Sequence, residues 1–156
     1  MHTKPSDKIK QLGLVLPPAP KPLGVYKPTL VVDSFLYVSG QGPVNTDGSL
    51  IHGRVGYTLD KDQGKNAARQ VGLTMLATII THFGAIDRIK CVVKVLGMVN
   101  VTPEFDAHPY VINGFSELMR DVFGEDAGVG VRSAVGMHLP QDIAVEIEAQ
   151  FELHPE

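Results

Sequence analysis

The run from Cys91 to Val99 is rich in β-branched residues and almost continuously apolar, broken only by Lys94. A strand of that composition needs apolar cover on both of its faces. Helices of the same chain can supply one layer. The second is then expected from a neighbouring subunit, because a single sheet with helices on one side leaves its other side bare.

The segments around this strand change period in an informative order. Leu30-Val31-Val32 and Phe35 to Ser39 read as a hairpin around an Asp33-Ser34 turn, and Gly40-Gln41-Gly42-Pro43 ends that pattern. From Asp60 the period becomes helical. Asp60 and Gln63 form a D-x-x-Q capping box, and Ala68, Val71, Met75, Ile79 and Phe83 recur at helix spacing before Gly84. A second helix carries Ile112, Phe115, Met119, Val122 and Phe123 on one stripe, with Gly124 as its stop. Within it, Asn113 and Gly114 are poor helix formers side by side, which points to a polar contact or a close approach. Finally, Ile143 to Leu153 alternates apolar and polar with period two. Arg132 starts a further apolar strand, so the order is ββαβαββ. That order gives an α+β fold, a mixed sheet with two helices on one face.

At 156 residues one domain is expected, with a core large enough to need neither disulfide nor metal. Five prolines between residues 16 and 28 exclude helix there, so residues 1–22 are expected to form an extended arm and residues 23–156 the single domain. The lone Cys91 excludes an intrachain disulfide, reads as a small buried hydrophobe and suits a reducing compartment. Leu12 to Leu16 is too short for a leader and no segment approaches membrane-spanning length, so a cytoplasmic protein without a membrane partner is expected. A net charge of −3 disfavours nucleic acid as a partner.

Nucleotide-binding glycine motifs, H-E-x-x-H and C-x-x-C are absent, and the six histidines lack ligand spacing; nucleotide binding loses its usual support and no metal is expected. Two charged residues in otherwise apolar surroundings remain. Arg132 follows the glycine-rich stretch from Gly124 to Gly130, where a planar guanidinium can clamp a carboxylate bidentately; an ion pair to Glu146 or Glu148 would look the same in sequence. Glu146 is either a solvated strand glutamate or, if buried, a base able to handle water. Tyr26 in the proline-rich stretch that ends at Pro28, the Ser39-Gly40 backbone and Asn113 complete the polar candidates, each with an ordinary structural reading beside it.

Taken together, Gly24-x-Tyr26, Val38-Ser39-Gly40-Gln41-x-Pro43, Asn113, Arg132-Ser133, Leu139-Pro140 and Val145-Glu146-Ile147-Glu148 form an ordered set, spread from about Leu23 to Phe151. This set resembles the Rid (reactive intermediate deaminase) family, also called YjgF, in a longer-chain branch. The resemblance implies a chorismate-mutase-like fold and a homotrimer with ligand clefts between subunits. It further implies cofactor-independent hydrolysis of 2-imino acids, such as 2-iminobutanoate and 2-iminopropanoate, to 2-oxo acids and ammonia. Carried over by position, it makes Arg132 the clamp for a small carboxylate substrate and Glu146 the holder of the attacking water. Tyr26, Ser39, Gly40, Asn113 and Ala134 would line the cleft, Ala134 where the family often carries cysteine. A non-catalytic carboxylate-binding or chaperone-like trimer, and an endoribonuclease, are the alternatives the same family raises.

Overall fold

In the computed structural model, which describes residues 3–156, the chain runs α1 (Pro5–Gln11), β1 (Thr29–Val32), β2 (Phe35–Gln41), α2 (Lys61–Thr78), β3 (Ile89–Val99), α3 (His108–Phe123), β4 (Val131–Gly136) and β5 (Val145–Leu153). From β1 onward the order is the expected ββαβαββ. The arm expected over residues 1–22 is only partly extended, because α1 lies inside it; Met1 and His2 fall outside the described residues. Seven residues are too few to hold a helix in isolation. Tertiary contacts hold this one: Ile9 is buried in the main core, and the Ser6 amide and hydroxyl donate to the Asp87 carboxylate at 2.8 and 2.7 Å.

Helix α2 begins as its sequence dictates. The Gln63 amide donates to the Asp60 carboxylate while the Asp60 amide donates to the Gln63 side chain, a reciprocal capping box. A π-helical turn, Ile79–Phe83, continues it to Gly84. Helix α3 packs along α2 at very short range where Gly114 meets the Lys65 carbonyl. A Cβ built on Gly114 would lie 2.0 Å from that oxygen, so the close approach expected from Asn113-Gly114 is real and belongs to the glycine.

The five strands form one sheet in the order β1-β2-β5-β3-β4, all pairs antiparallel except the parallel β3-β4 edge. Alternation then assigns the two faces. Val145, Ile147, Ala149, Phe151 and Leu153 of β5 are buried in the main core with Val92, Val95 and the α2 and α3 stripes. The opposite face carries Glu146, Glu148 and Gln150, paired in register with Met98, Leu96 and Lys94. It is the half-covered face of the Cys91 to Val99 run. Its own loop, through Leu139 and Ile143, caps Met98, but Leu30, Val32, Phe35, Tyr37 and Val131 remain exposed on it, Val131 at 68%. Cys91 is on this side too, half-buried rather than buried as expected, with its thiol 3.6 Å from a Glu152 oxygen. No helix among the described residues is long and apolar enough to cross a membrane.

The contact at Gly114 supplies a direct test of the helix layer. Gly114→Ala should destabilise the fold by at least about 1–3 kcal/mol through overpacking. Equilibrium denaturation measures this, and an unchanged midpoint would contradict the described α2-α3 spacing.

Candidate functional site

Arg132 pairs in register with Val95, so its side chain leaves the sheet on the helix side. There α3 presents three acceptors to it. Nη1 donates to the Ser116 hydroxyl at 3.0 Å, and Nη2 donates to the Asn113 Oδ1 at 2.8 Å and the Pro109 carbonyl at 3.1 Å. The spacing 109, 113, 116 explains the convergence, since residues four and three apart share one helix face. All three acceptors are neutral. Burial lowers the guanidinium's pKa, and no carboxylate offsets that effect. An ion pair to Glu146 or Glu148, the plain reading of the sequence, is not formed. A cavity of about 300 Å³ opens beside this group, lined by Asn113, Ser116, Val129 and Arg132.

Glu146 leaves β5 on the opposite face. Its carboxylate rests against Gly40, where a Cβ would lie 2.7 Å from Oε2, so only glycine leaves that oxygen its place. Burial, and secondarily the charge of Glu148, push the Glu146 carboxyl above its ordinary pKa; no hydrogen bond among the described residues pulls it back. A second cavity, about 520 Å³, is lined by Glu146, Gly40, Ser39 and Tyr26 together with Pro20 and Lys21 of the arm. Ser39 is tied down at its rim, its hydroxyl donating to the Lys27 carbonyl at 2.6 Å and its amide to the Pro28 carbonyl at 3.0 Å.

Within one chain the candidate residues therefore form two groups. Arg132 and Asn113 sit together on the helix side at the β4 edge. Tyr26, Ser39, Gly40 and Glu146 sit together on the other side. Ala134 joins neither cavity: it pairs with Gly97 and packs against the main core.

Two features escaped the sequence. Pro109 and Ser116 anchor Arg132, and their i, i+4, i+7 relation to Asn113 was the available signal. Gln141, lining the Glu146 cavity, and Asp142 hold positive φ of 56° and 53°. Such backbone costs energy in non-glycine residues and persists only where the surroundings enforce it. The enforcement is visible: buried Asn100 donates to the Asp142 carboxylate at 2.8 Å, the Gly53 amide donates to the Asp142 carbonyl at 2.8 Å, and His52 Nδ1 meets the Gln141 carbonyl at 2.8 Å. Among the described residues, no cluster of three or more His, Cys, Asp or Glu is arranged to hold a metal ion.

The raised Glu146 pKa makes a signed prediction. A carboxyl whose folded pKa exceeds its unfolded one binds more protons when folded, so stability falls as pH rises through the window between the two. Glu146→Gln, which resembles the protonated form, should raise Tm at neutral pH and lose that advantage below the ordinary carboxylate pKa. Glu148→Gln should lower the Glu146 pKa, read by carboxyl carbon NMR. A Glu146→Gln advantage independent of pH would contradict the assignment.

Comparison with known proteins adds to this geometry. The family model described as "YjgF/chorismate_mutase-like, putative endoribonuclease" matches residues 6–140. Protein TCP17 of Trypanosoma cruzi is 39% identical over 147 residues, 94% of this chain and 92% of that protein. A RutC family protein of Pyrococcus abyssi is 28% identical over 132 residues, 84% and 88% of the two chains. Among solved structures, a Shewanella oneidensis protein carrying the same endoribonuclease name superposes with a TM-score of 0.90 at 29% identity, covering 97% of this chain and all of its own.

Proposed function

The chain belongs to the YjgF/chorismate-mutase-like family, and from that membership we propose that it is a hydrolytic deaminase of 2-imino acids, acting in clefts between the subunits of a homotrimer. The observation that carries this reading is the sidedness of the two charges. Arg132, a cation without an anion, opens on one face of the sheet, and Glu146, a half-buried carboxylate without a donor, opens on the other. Neither can serve the other within one chain. The exposed apolar face bearing Leu30, Tyr37 and Val131 is the surface a second copy would cover, bringing the Arg132 group of one subunit toward the Glu146 group of the next.

In such a cleft the chemistry follows from the groups. Arg132 binds the substrate carboxylate through charge-assisted hydrogen bonds and holds the adjacent iminium carbon in place. Glu146 accepts a proton from water as the new C–O bond forms, and the C=N electron pair moves to nitrogen, giving a carbinolamine. Glu146 then passes that proton to the amine; as the C–N bond breaks and ammonia departs, the regenerated carboxylate takes the hydroxyl proton, the 2-oxo group forms, and Glu146 releases the proton to solvent or to the departing ammonia. A carboxyl with a raised pKa suits both halves of this cycle. Since nitrogen already carries the positive charge, no cofactor is required.

The substrate test generates 2-iminobutanoate with an amino-acid oxidase and traps it with semicarbazide. Wild-type protein should suppress trapping, Arg132→Ala should lower kcat/KM by about 100-fold, and Gly40→Ala should lower kcat by displacing the Glu146 carboxylate. The rate should rise with pH through the raised Glu146 pKa, because the deprotonated form takes the proton. Equal trapping with and without wild-type protein would sink the proposal. The endoribonuclease name receives no support from a chain of net charge −3; RNA cleavage lost in Glu146→Gln would restore it.

Assembly is tested separately. Light scattering should give the mass of three chains, and a monomer at micromolar concentration would overturn the shared cleft.

A further inference from the structure

The hydrogen bonds around Arg132 bear on how a carboxylate reaches it. A guanidinium offers a carboxylate two forks, one formed by Nε and Nη2, the other by Nη1 and Nη2. Nη2 belongs to both. Here Nη2 serves two acceptors, Asn113 Oδ1 and the Pro109 carbonyl, and Nη1 serves Ser116. The donors left over, Nε–H and one Nη1–H, do not share an edge, so neither fork is open for bidentate binding.

We propose that Asn113 is a built-in stand-in for the substrate carboxylate: binding proceeds by exchange, the incoming carboxylate displacing Asn113 Oδ1 from Nη2 while Ser116 keeps Nη1 anchored. The inference rests on the reading of Arg132 as a carboxylate clamp and adds the event by which the clamp opens.

Energetics favour the exchange in one direction. An amide oxygen brings only a dipole to the guanidinium, whereas a carboxylate brings a full negative charge and two oxygens that can accept from two N–H groups at once. Arg132 is partly buried with only neutral partners, so an anion gains the attraction those partners leave unused. The resting contacts hold the guanidinium flat against α3 and keep it from collapsing onto other groups when no substrate is present. Ser116 is a positioning residue in this scheme. It fixes the end of the guanidinium that does not exchange, and so limits rotation of the plane when Nη2 changes partner.

The same geometry makes the 113 side chain a determinant of affinity whose sign depends on its charge. A carboxylate placed there would satisfy Arg132 internally and compete with substrate. Removal of the amide would free Nη2 and leave the clamp intact.

The test is binding of 2-oxobutanoate to the purified full-length chain, followed by calorimetry. Asn113→Asp should weaken binding by at least about 10-fold, since the internal carboxylate competes. Asn113→Ala, which removes the acceptor that must be displaced, should bind about 3-fold more tightly than wild type. Ser116→Ala should weaken binding by roughly 3- to 10-fold, while Ser116→Thr, which retains the hydroxyl, should restore it; a purely structural role would not follow the hydroxyl in this way. Wild-type binding with Asn113→Asp unimpaired, or with Asn113→Ala as weak as Asn113→Asp, would overturn the exchange and leave the clamp standing. Failure of wild-type protein to bind the 2-oxo acid would overturn both.

Discussion

The alternation along β5 governs the rest of the molecule. As the middle strand of five, it presents Val145, Ile147, Ala149, Phe151 and Leu153 to the helices and Glu146, Glu148 and Gln150 to the other side. A slip of one residue would exchange the two sets and put four polar side chains, Glu152 included, in the core, so the register is strongly specified. That specification fixes Glu146 against Gly40 and, through β3, fixes Arg132 on the opposite face. The chain thus carries these two charges on opposite sides of a wall it has no means of crossing.

Each charge breaks an ordinary rule of stability. Arg132 is partly buried with neutral acceptors only, and Glu146 is half-buried under the repulsion of a second carboxylate, Glu148. A chain optimised for folding alone would pair or solvate such groups. Departures from local consistency concentrate where function demands them, and Gln141 and Asp142 add backbone strain at the rim of the Glu146 cavity. Sheet and helices provide the stability against which these costs are set.

How much of this was legible in the sequence depended on whether the signal was local. The Asp60–Gln63 capping box, the α3 stripe and the β5 alternation are short-range patterns, and each folds as it reads. The order of elements and the mixed sheet followed from them. Helix α1 did not, because a seven-residue helix is stabilised by Ile9 and Asp87 contacts rather than by its own propensity. The face of Arg132 was likewise hidden. It is set by the Val95 pairing of a parallel edge strand, a long-range register that no window of sequence contains. The candidate site residues were named in groups by motif, and their separation into two cavities emerged only from the topology.

The N-terminal strap has a consequence for how recognition can diversify. It is fastened at one end by Ile9 in the core and at the other by the Ser39 bonds to Lys27 and Pro28. Between these fastenings Pro20, Lys21 and Tyr26 form a wall of the Glu146 cavity without belonging to the sheet. Doubling the length of a loop closed at both ends costs only about 0.6 kcal/mol. The wall is therefore a replaceable part: its length and side chains can be exchanged to admit a larger or differently charged molecule, while the strand beneath keeps its geometry.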